Sequence, residues 1–183
     1  MIKIATAECF TQGKIGRELH ALAQSYEGDF GCKYLDLNDV DSADISVTCS
    51  LFIPTLEAVE KILNVENPPK PNKLIKGIKV YDEKGDADVS RIMARAVKDL
   101  SGCDIAVGTT AGIGRGGICV LTDEYEIIAT TDVYADLCKK ESEALFERSE
   151  AGIMKALEII VLILNGKFEK IENLDNVEIL NKK

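Results

Sequence analysis

The segment Glu8-Cys9-Phe10-Thr11-Gln12-Gly13 holds the residues best suited to chemistry. It links a short apolar stretch, Ile2, Ile4, Ala5 and Ala7, to a helical pattern carrying Ile15, Leu19, Leu22 and Tyr26 at three- and four-residue spacing. A strand that runs into a helix through a tight polar turn is where α/β folds place ligands. Cys9 sits where the helix is about to begin, and unpaired N–H groups near Thr11, Gln12 and Gly13 favour negative charge there. Such a setting makes the nucleophilic thiolate available, and the same amides suit the oxyanion of a tetrahedral intermediate. The plainer alternative for Cys9 is a small buried filler, the usual fate of a free cysteine. Glu8 either orients a substrate hydroxyl or ring nitrogen or caps the Gly13 and Lys14 amides.

Ordinary cysteine hydrolases pair the thiol with a histidine, and His20 is the only histidine here. On the helix it lies past Gly16, carried away from the turn at about 1.5 Å per residue, so a Cys–His dyad is not expected. A nucleophile without a general base suits a substrate that arrives activated, such as an acyl-adenylate, whose AMP leaving group needs little help from a proton donor. A second segment, Gly112-Ile113-Gly114-Arg115-Gly116-Gly117, follows a strand but enters another strand, not a helix, which excludes a dinucleotide-binding fingerprint. Its backbone at Gly112, Gly114 and Gly116, the Arg115 guanidinium and the preceding Thr109 and Thr110 hydroxyls form a candidate nucleotide-phosphate site. Otherwise the segment is a flexible approach to a hairpin with Arg115 solvated. Lys14 and Arg17 either steer an anion or form a solvated face. Asp123, Asp132 and Asp136 lack the spacing of a metal site, so no metal and no tightly bound cofactor is assigned.

Positioning these residues requires a sheet. Apolar segments at Tyr34 to Leu37 and Ile45 to Phe52 precede Pro54-Thr55, which opens a helix through Ala58 and Ile62. Asn67-Pro68-Pro69-Lys70-Pro71-Asn72 forces a stiff internal loop. Asp86 caps a helix with Val89, Ile92, Met93, Ala96 and Leu100 on one face. Ile105 to Gly108 reads as a buried central strand, and Ile118 to Leu121 and Ile127 to Ala129 flank Asp123-Glu124-Tyr125-Glu126 as a hairpin. A long helix spans Ser142 to Leu164 and stops at Asn165-Gly166. The expected architecture is a single α/β domain over residues 1–166, three layers with a mixed β-sheet and helices on both faces, followed by a polar C-terminal tail at 167–183.

The 183 residues suit one domain at roughly 150 residues apiece, long enough to bury a core without metal or disulfide staples. Subtracting 31 acidic from 22 basic residues gives a net charge of -9. That balance argues against general nucleic-acid or anionic-lipid binding, yet leaves room for a local pocket that takes one small anion. Six cysteines form no CxxC pair, and no signal-like stretch follows Met1. Both features predict a reducing cytoplasmic setting with free thiols. The longest apolar run, Ile159 to Leu164, falls far short of the roughly 20 residues of a membrane span.

The run from Ala5 to His20, Ala-Thr-Ala-Glu-Cys-Phe-Thr-Gln-Gly-Lys-Ile-Gly-Arg-Glu-Leu-His, resembles the HcgF family, and Thr109 to Gly117 fits it too. That family belongs to methanogenic archaea and helps build the iron-guanylylpyridinol cofactor of [Fe]-hydrogenase; the resemblance extends to about Gly166. There a cysteine at this place is joined by a thioester to the carboxyl group of guanylylpyridinol, a pyridinol carrying a GMP moiety, ahead of the acyl-iron ligand. The resemblance implies Cys9 as that residue, guanylylpyridinol as ligand, AMP as leaving group, the adenylylating protein HcgE as upstream supplier, and a homodimer. A more distant resemblance is to the CinA carboxy-terminal domain, a nicotinamide mononucleotide deamidase with the motif Ala-Glu-Ser-Cys-Thr-Gly-Gly. Cys9 stands where its serine nucleophile does, implying a shared scaffold. The Tyr-Ser-Asn-x-x-Lys stretch expected of the deamidase is replaced by Cys49-Ser50-Leu51-Phe52-Ile53-Pro54. Three functions follow as expectations: acyl transfer from an acyl-adenylate to Cys9, a pyridine-nucleotide amidohydrolase, and a nucleotide-binding module without chemistry.

Overall fold

Alternation along β1 (Ile2–Glu8) sends Ile4 to one face of a sheet and Ala5 and Ala7 to the other, and all three are fully buried. The computed structural model describes residues 1–40, 45–139 and 141–181. In it β1 lies between β2 (Ile45–Phe52) and β5 (Ile105–Thr110), parallel to both. Beyond β5 the direction reverses through β7 (Gly117–Leu121), β8 (Tyr125–Ala129) and β10 (Val177–Asn181). The order across this six-stranded mixed sheet is β10-β8-β7-β5-β1-β2.

Helices cover both faces. Ile15 and Leu19 of α1 (Lys14–Ala23) and Ile153 and Leu157 of α4 (Ser142–Leu164) pack with Ile4, Val107, Ile118 and Val120. On the opposite face, Val89, Met93 and Val97 of α3 (Glu83–Ser101) and Val59 of α2 (Leu56–Lys61) pack with Ala5, Ala7, Ala106 and Cys119. Gly108 permits the close approach of α3, since a Cβ there would run into the backbone of Ser90 and Ala94. The expected single three-layer α/β arrangement is therefore present, with the central strand, the hairpin and α4 where their apolar spacing places them. All six cysteines are free, and among the described residues no helix is long and apolar enough to cross a membrane.

Four local features differ from expectation. The first helix ends at Ala23, because Ser25 turns left-handed (φ 51°), and Tyr26 is folded back with its N–H on Ala21 O at 3.0 Å. Asp82, not Asp86, caps α3, accepting from Gly85 N–H at 2.8 Å, while Asp86 lies in the first turn and points inward. A short hairpin, β3 (Lys73–Ile75) and β4 (Ile78–Val80), follows the proline-rich loop, and β6 (Ile113–Gly114) pairs with β9 (Ala135–Asp136) outside the main sheet. Last, the polar stretch after Gly166 is not a tail outside the fold. Phe168 stacks on Tyr125 at 4.0 Å between ring centroids, Ile171 is fully buried, and β10 pairs with β8, whose outer edge would otherwise be open. Residues 182–183 of that stretch lie outside the described residues.

Candidate active site at Cys9

The turn from β1 into α1 is closed by Gln12 N–H donating to Cys9 O at 3.1 Å and Lys14 N–H donating to Thr11 O at 3.0 Å. Gln12 and Gly13 both take left-handed backbone conformations, φ 57° and 78°, which bends the chain sharply enough to leave Cys9 at the carboxyl ends of the parallel strands. Neighbouring β5 holds Cys9 in place: its N–H donates to Thr109 O at 2.9 Å and to Thr109 Oγ1 at 3.2 Å.

Glu8 lies fully buried beneath this turn. Its Oε1 accepts from Gly16 N–H at 2.8 Å and from Thr6 Oγ1 at 2.9 Å; its Oε2 accepts from Ile15 N–H at 3.2 Å and from Thr11 Oγ1 at 2.7 Å. Of the two roles open to Glu8, capping is the one present, reaching Ile15 and Gly16 in place of Gly13 and Lys14. No part of its carboxylate is left to orient a substrate. Thr11 gives its single hydroxyl hydrogen to Glu8, so the 2.8 Å contact between Thr11 and Thr109 is donated by Thr109. These two hydroxyls form the floor of the turn. Gln12 N–H is also engaged, whereas the Thr11 and Gly13 amides have no acceptor among the described residues.

Above that floor Cys9, itself 7% exposed, lines a cavity of about 180 Å³ with Phe10, Gln12, Pro54, Ile78, Leu145 and Arg148. The one cation in this lining among the described residues is Arg148, from α4. Its Nη1 donates to the carbonyls of Gly112 (3.2 Å), Gly114 (2.7 Å) and Ala135 (2.8 Å), and the guanidinium lies 5.9 Å from the Phe10 ring centroid. Its Nε is buried without a partner among the described residues.

Behind Cys9 stands Lys79 of β4, also fully buried. Its Nζ donates to Ile53 O at 2.9 Å and to Pro54 O at 3.3 Å, and Cys9 Sγ approaches the same Pro54 carbonyl at 4.0 Å. Burial holds the Lys79 amine below the ordinary lysine range, while Cys9 and Asp86 push the other way. Neither Lys79 nor Arg148 is among the candidate residues read from the sequence. A signal for Lys79 did exist: Lys76-Gly77, left-handed at φ 50° and 83°, is a two-residue hairpin turn between Leu74-Ile75 and Ile78-Lys79-Val80. Nothing comparable marked Arg148 among the charged residues of α4.

Asp86 completes the buried charge behind the cavity. Its Oδ2 accepts from Gly112 N–H at 2.8 Å, its Oδ1 has no partner among the described residues, and burial pushes its carboxyl up to about 7. A folded-state value above the ordinary 3.8 means that protonated Asp86 favours the fold, a contribution present at acid pH and lost as pH rises through about 7. Relative to Asp86→Asn, the wild type should therefore lose on the order of 2–4 kcal/mol in urea-unfolding free energy between roughly pH 4 and pH 8. Parallel pH profiles for the two proteins would contradict this.

The other residues expected to bind phosphate are drawn elsewhere. Thr109 and Thr110 are fully buried in β5. Two carboxylates fill the glycine-rich loop: Gly112 N–H is bound to Asp86, and Arg115 N–H donates to Glu83 Oε1 at 3.1 Å. The Arg115 side chain also pairs with Glu83, at 3.0 Å, and reaches Asn176 at 3.2 Å. Close packing accounts for the glycines, since a Cβ on Gly112 would run into the Tyr81 backbone, and on Gly114, at φ 127°, into Glu83; a Cβ on Gly116, at φ 79°, would press on Ala111 and Phe10. Lys14 pairs with Glu150 at 2.9 Å beside the Tyr34 hydroxyl, and Arg17 holds the carbonyls of Gly31 and Asp29, each at 3.1 Å. His20 is exposed and meets Tyr26 edge-on at 5.6 Å. None of these side chains lines the Cys9 cavity.

Fold and site together define an α/β protein that presents a thiol at the carboxyl ends of its parallel strands, in a ring-sized cavity with one guanidinium. Residues 1–164 match the family described as FeGP cofactor biosynthesis protein HcgF, and the chain belongs to that family. It is 44% identical over 160 residues to a UPF0254 protein of Methanothermobacter thermautotrophicus (strain Winter), covering 87% of this chain and 94% of the relative. A UPF0254 protein of Methanococcus aeolicus is 40% identical over 169 residues, 92% of this chain and 99% of the relative. Another, from Methanopyrus kandleri, is 42% identical over 158 residues, 86% and 85% of the two chains. Family membership supports a role in FeGP cofactor biosynthesis.

Proposed function

We propose that Cys9 captures the carboxyl group of guanylylpyridinol as a thioester, taking it from the adenylylated acid and releasing AMP. The cavity carries this reading: a thiol in an apolar pocket of about 180 Å³ whose single cation among the described residues is Arg148. That volume accommodates one aromatic ring and lies below the roughly 300 Å³ at which complete small-molecule sites begin. The pyridinol enters, then, and the GMP moiety stays at the mouth, where Phe52 is 55% exposed and offers an apolar face. Arg148 complements the pyridinol oxygen or the carboxyl oxygen as charge develops on it, and the Phe10, Thr11 and Gly13 amides, which have no acceptor among the described residues, are backbone donors open to it. The sulfur attacks the acyl carbon, the C–S bond forms, and the bond to the adenylate oxygen breaks with its electron pair leaving on AMP.

The same reading includes HcgE as the adenylylating supplier, a homodimer and a cytoplasmic setting, all three carried over from the resemblance and the thiol content. Its test is the intact mass of the protein after incubation with guanylylpyridinol, ATP and the adenylylating partner. A ligand-sized increase that hydroxylamine reverses is the expected result. Unchanged mass in the presence of confirmed acyl-adenylate would sink the reading, and ammonia release from a pyridine-carboxamide nucleotide would put an amidohydrolase in its place.

A further inference from the structure

A buried lysine with no carboxylate in ion-pair contact among the described residues is costly, and Lys79 is placed where that cost has a use. Two of its nitrogen's directions are committed to the carbonyls of Ile53 and Pro54. A neutral amine has two N–H donors and one lone pair, so with both donors on carbonyls the lone pair is left to face the neighbouring group. That neighbour is the Cys9 thiol, which converges on the Pro54 carbonyl from the cavity side. We propose that Lys79 is the proton acceptor for Cys9, forming with it a Cys–Lys dyad in which the Pro54 carbonyl holds both side chains.

This proposal deepens the thioester reading and rests on it for the substrate, though not for the chemistry at sulfur. The Cys9 S–H proton passes to the Lys79 lone pair and the sulfur electron pair forms the C–S bond. The C–O bond to the adenylate breaks, AMP departs with that electron pair, and the proton stays on Lys79 for as long as the thioester lasts. Holding the proton has a second consequence. An ammonium cannot attack the new thioester, whereas a neutral amine at this position would convert it to an amide. The charged and titratable groups facing Lys79 are Cys9, from the β1–α1 turn, and Asp86, from α3; Arg148 of α4 faces both of these. Burial, which disfavours the ammonium, makes the amine a better proton acceptor near neutrality than an exposed lysine is. The base that no histidine provides is thus supplied from β4, where Lys79 lies 70 residues along the chain from Cys9.

The test follows Cys9 alkylation by iodoacetamide in wild type and Lys79→Met, with peptide mass spectrometry resolving Cys9 from the other cysteines. Methionine keeps the length of the stem without the amine, and circular dichroism checks that the variant is folded. At pH 7 the variant should alkylate at Cys9 at least about tenfold more slowly. The gap should narrow towards about pH 10 as hydroxide takes over the deprotonation. Equal Cys9 rates across this range in folded protein would overturn the proposal. A second measurement is independent of the Lys79→Met fold: by NMR, the Lys79 side chain should titrate at lower pH in Cys9→Ala than in wild type, and identical titrations would overturn the dyad. Failure of the thioester reading would look different. Wild-type protein would then alkylate at Cys9 in a Lys79-dependent way yet gain no mass from the acyl-adenylate, which leaves the dyad standing.

Discussion

Cys9→Ala should lose hydroxylamine-labile capture of the acyl group completely while still binding guanylylpyridinol reversibly. The all-or-none expectation follows from where the six thiols lie. Only Cys9 lines the ring-sized cavity. Cys103 and Cys119 are buried in the core between the sheet and α3, burial pushes the Cys32 and Cys49 thiols up, away from the reactive thiolate, and Cys138, half-buried next to Leu137, does not line the cavity. Removing one sulfur enlarges the cavity slightly and leaves Arg148 and its carbonyl anchors untouched, so affinity for the free acid should change by less than about tenfold. Intact mass with and without hydroxylamine reads the covalent step, and isothermal titration reads the reversible one. A labile adduct persisting in Cys9→Ala and mapping to another cysteine would move the nucleophile; loss of both capture and binding would mean that Cys9 shapes the pocket instead.

Glu8→Ala should produce the largest change in stability, about 3–5 kcal/mol. Four donors converge on this one buried carboxylate, two backbone amides at the start of α1 and the hydroxyls of Thr6 and Thr11. Truncation leaves all four without an acceptor and strips the negative charge from a helix N-terminus, where it is most favourable. For a domain whose total stability is on the order of 5–15 kcal/mol, that is a large fraction. Glu8→Gln keeps the shape but loses the charge and turns an NH₂ towards existing donors, so an intermediate loss of about 1–3 kcal/mol is expected. Urea midpoints of the three proteins give the ranking, and a Glu8→Ala midpoint within error of wild type would refute the capping role. Because the same carboxylate supports Thr11, which supports Thr109 beneath the Cys9 amide, capture by Glu8→Gln should slow even where the protein remains folded.

The fold was largely readable from the chain, and so was the thiol. Residues such as Ile4, Ile105, Ile118 and Ile127 advertise strands by apolar clustering, and Ser142 to Leu164 advertises a helix by its spacing, because those signals are local and each element must bury one face whatever its neighbours are. Cys9 is legible for the same reason, as a polar turn between a strand and a helix. The β3–β4 hairpin is hard to read although Lys76-Gly77 is a usable turn signal, since three-residue strands alternate too briefly to stand out beside the proline-rich loop. Joining the stretch after Gly166 to the sheet depended on Phe168 finding Tyr125 and on β8 having a free edge, neither of which is a property of the tail itself.

Charge placement divides the two levels most sharply. Lys14, Arg17 and Arg115 look available for a phosphate when read along the chain, and each has a partner in the folded protein: Glu150, the carbonyls of Gly31 and Asp29, and Glu83. Lys79 and Arg148 are not among the candidates read along the chain, and among the described residues they are the cations buried around the thiol. Hydrophobic periodicity reports which face of an element is covered, and that is decided within a few residues of sequence. Which charge is stripped of water, and what it then faces, depends on contacts between segments far apart in the chain: Cys9 with Lys79, Gly112 with Asp86 and Arg148. Electrostatic interactions gain strength only once such contacts exclude solvent, so the placement of charge around Cys9 is decided by tertiary packing, while the thiol, its turn and the sheet beneath it follow from residue order alone.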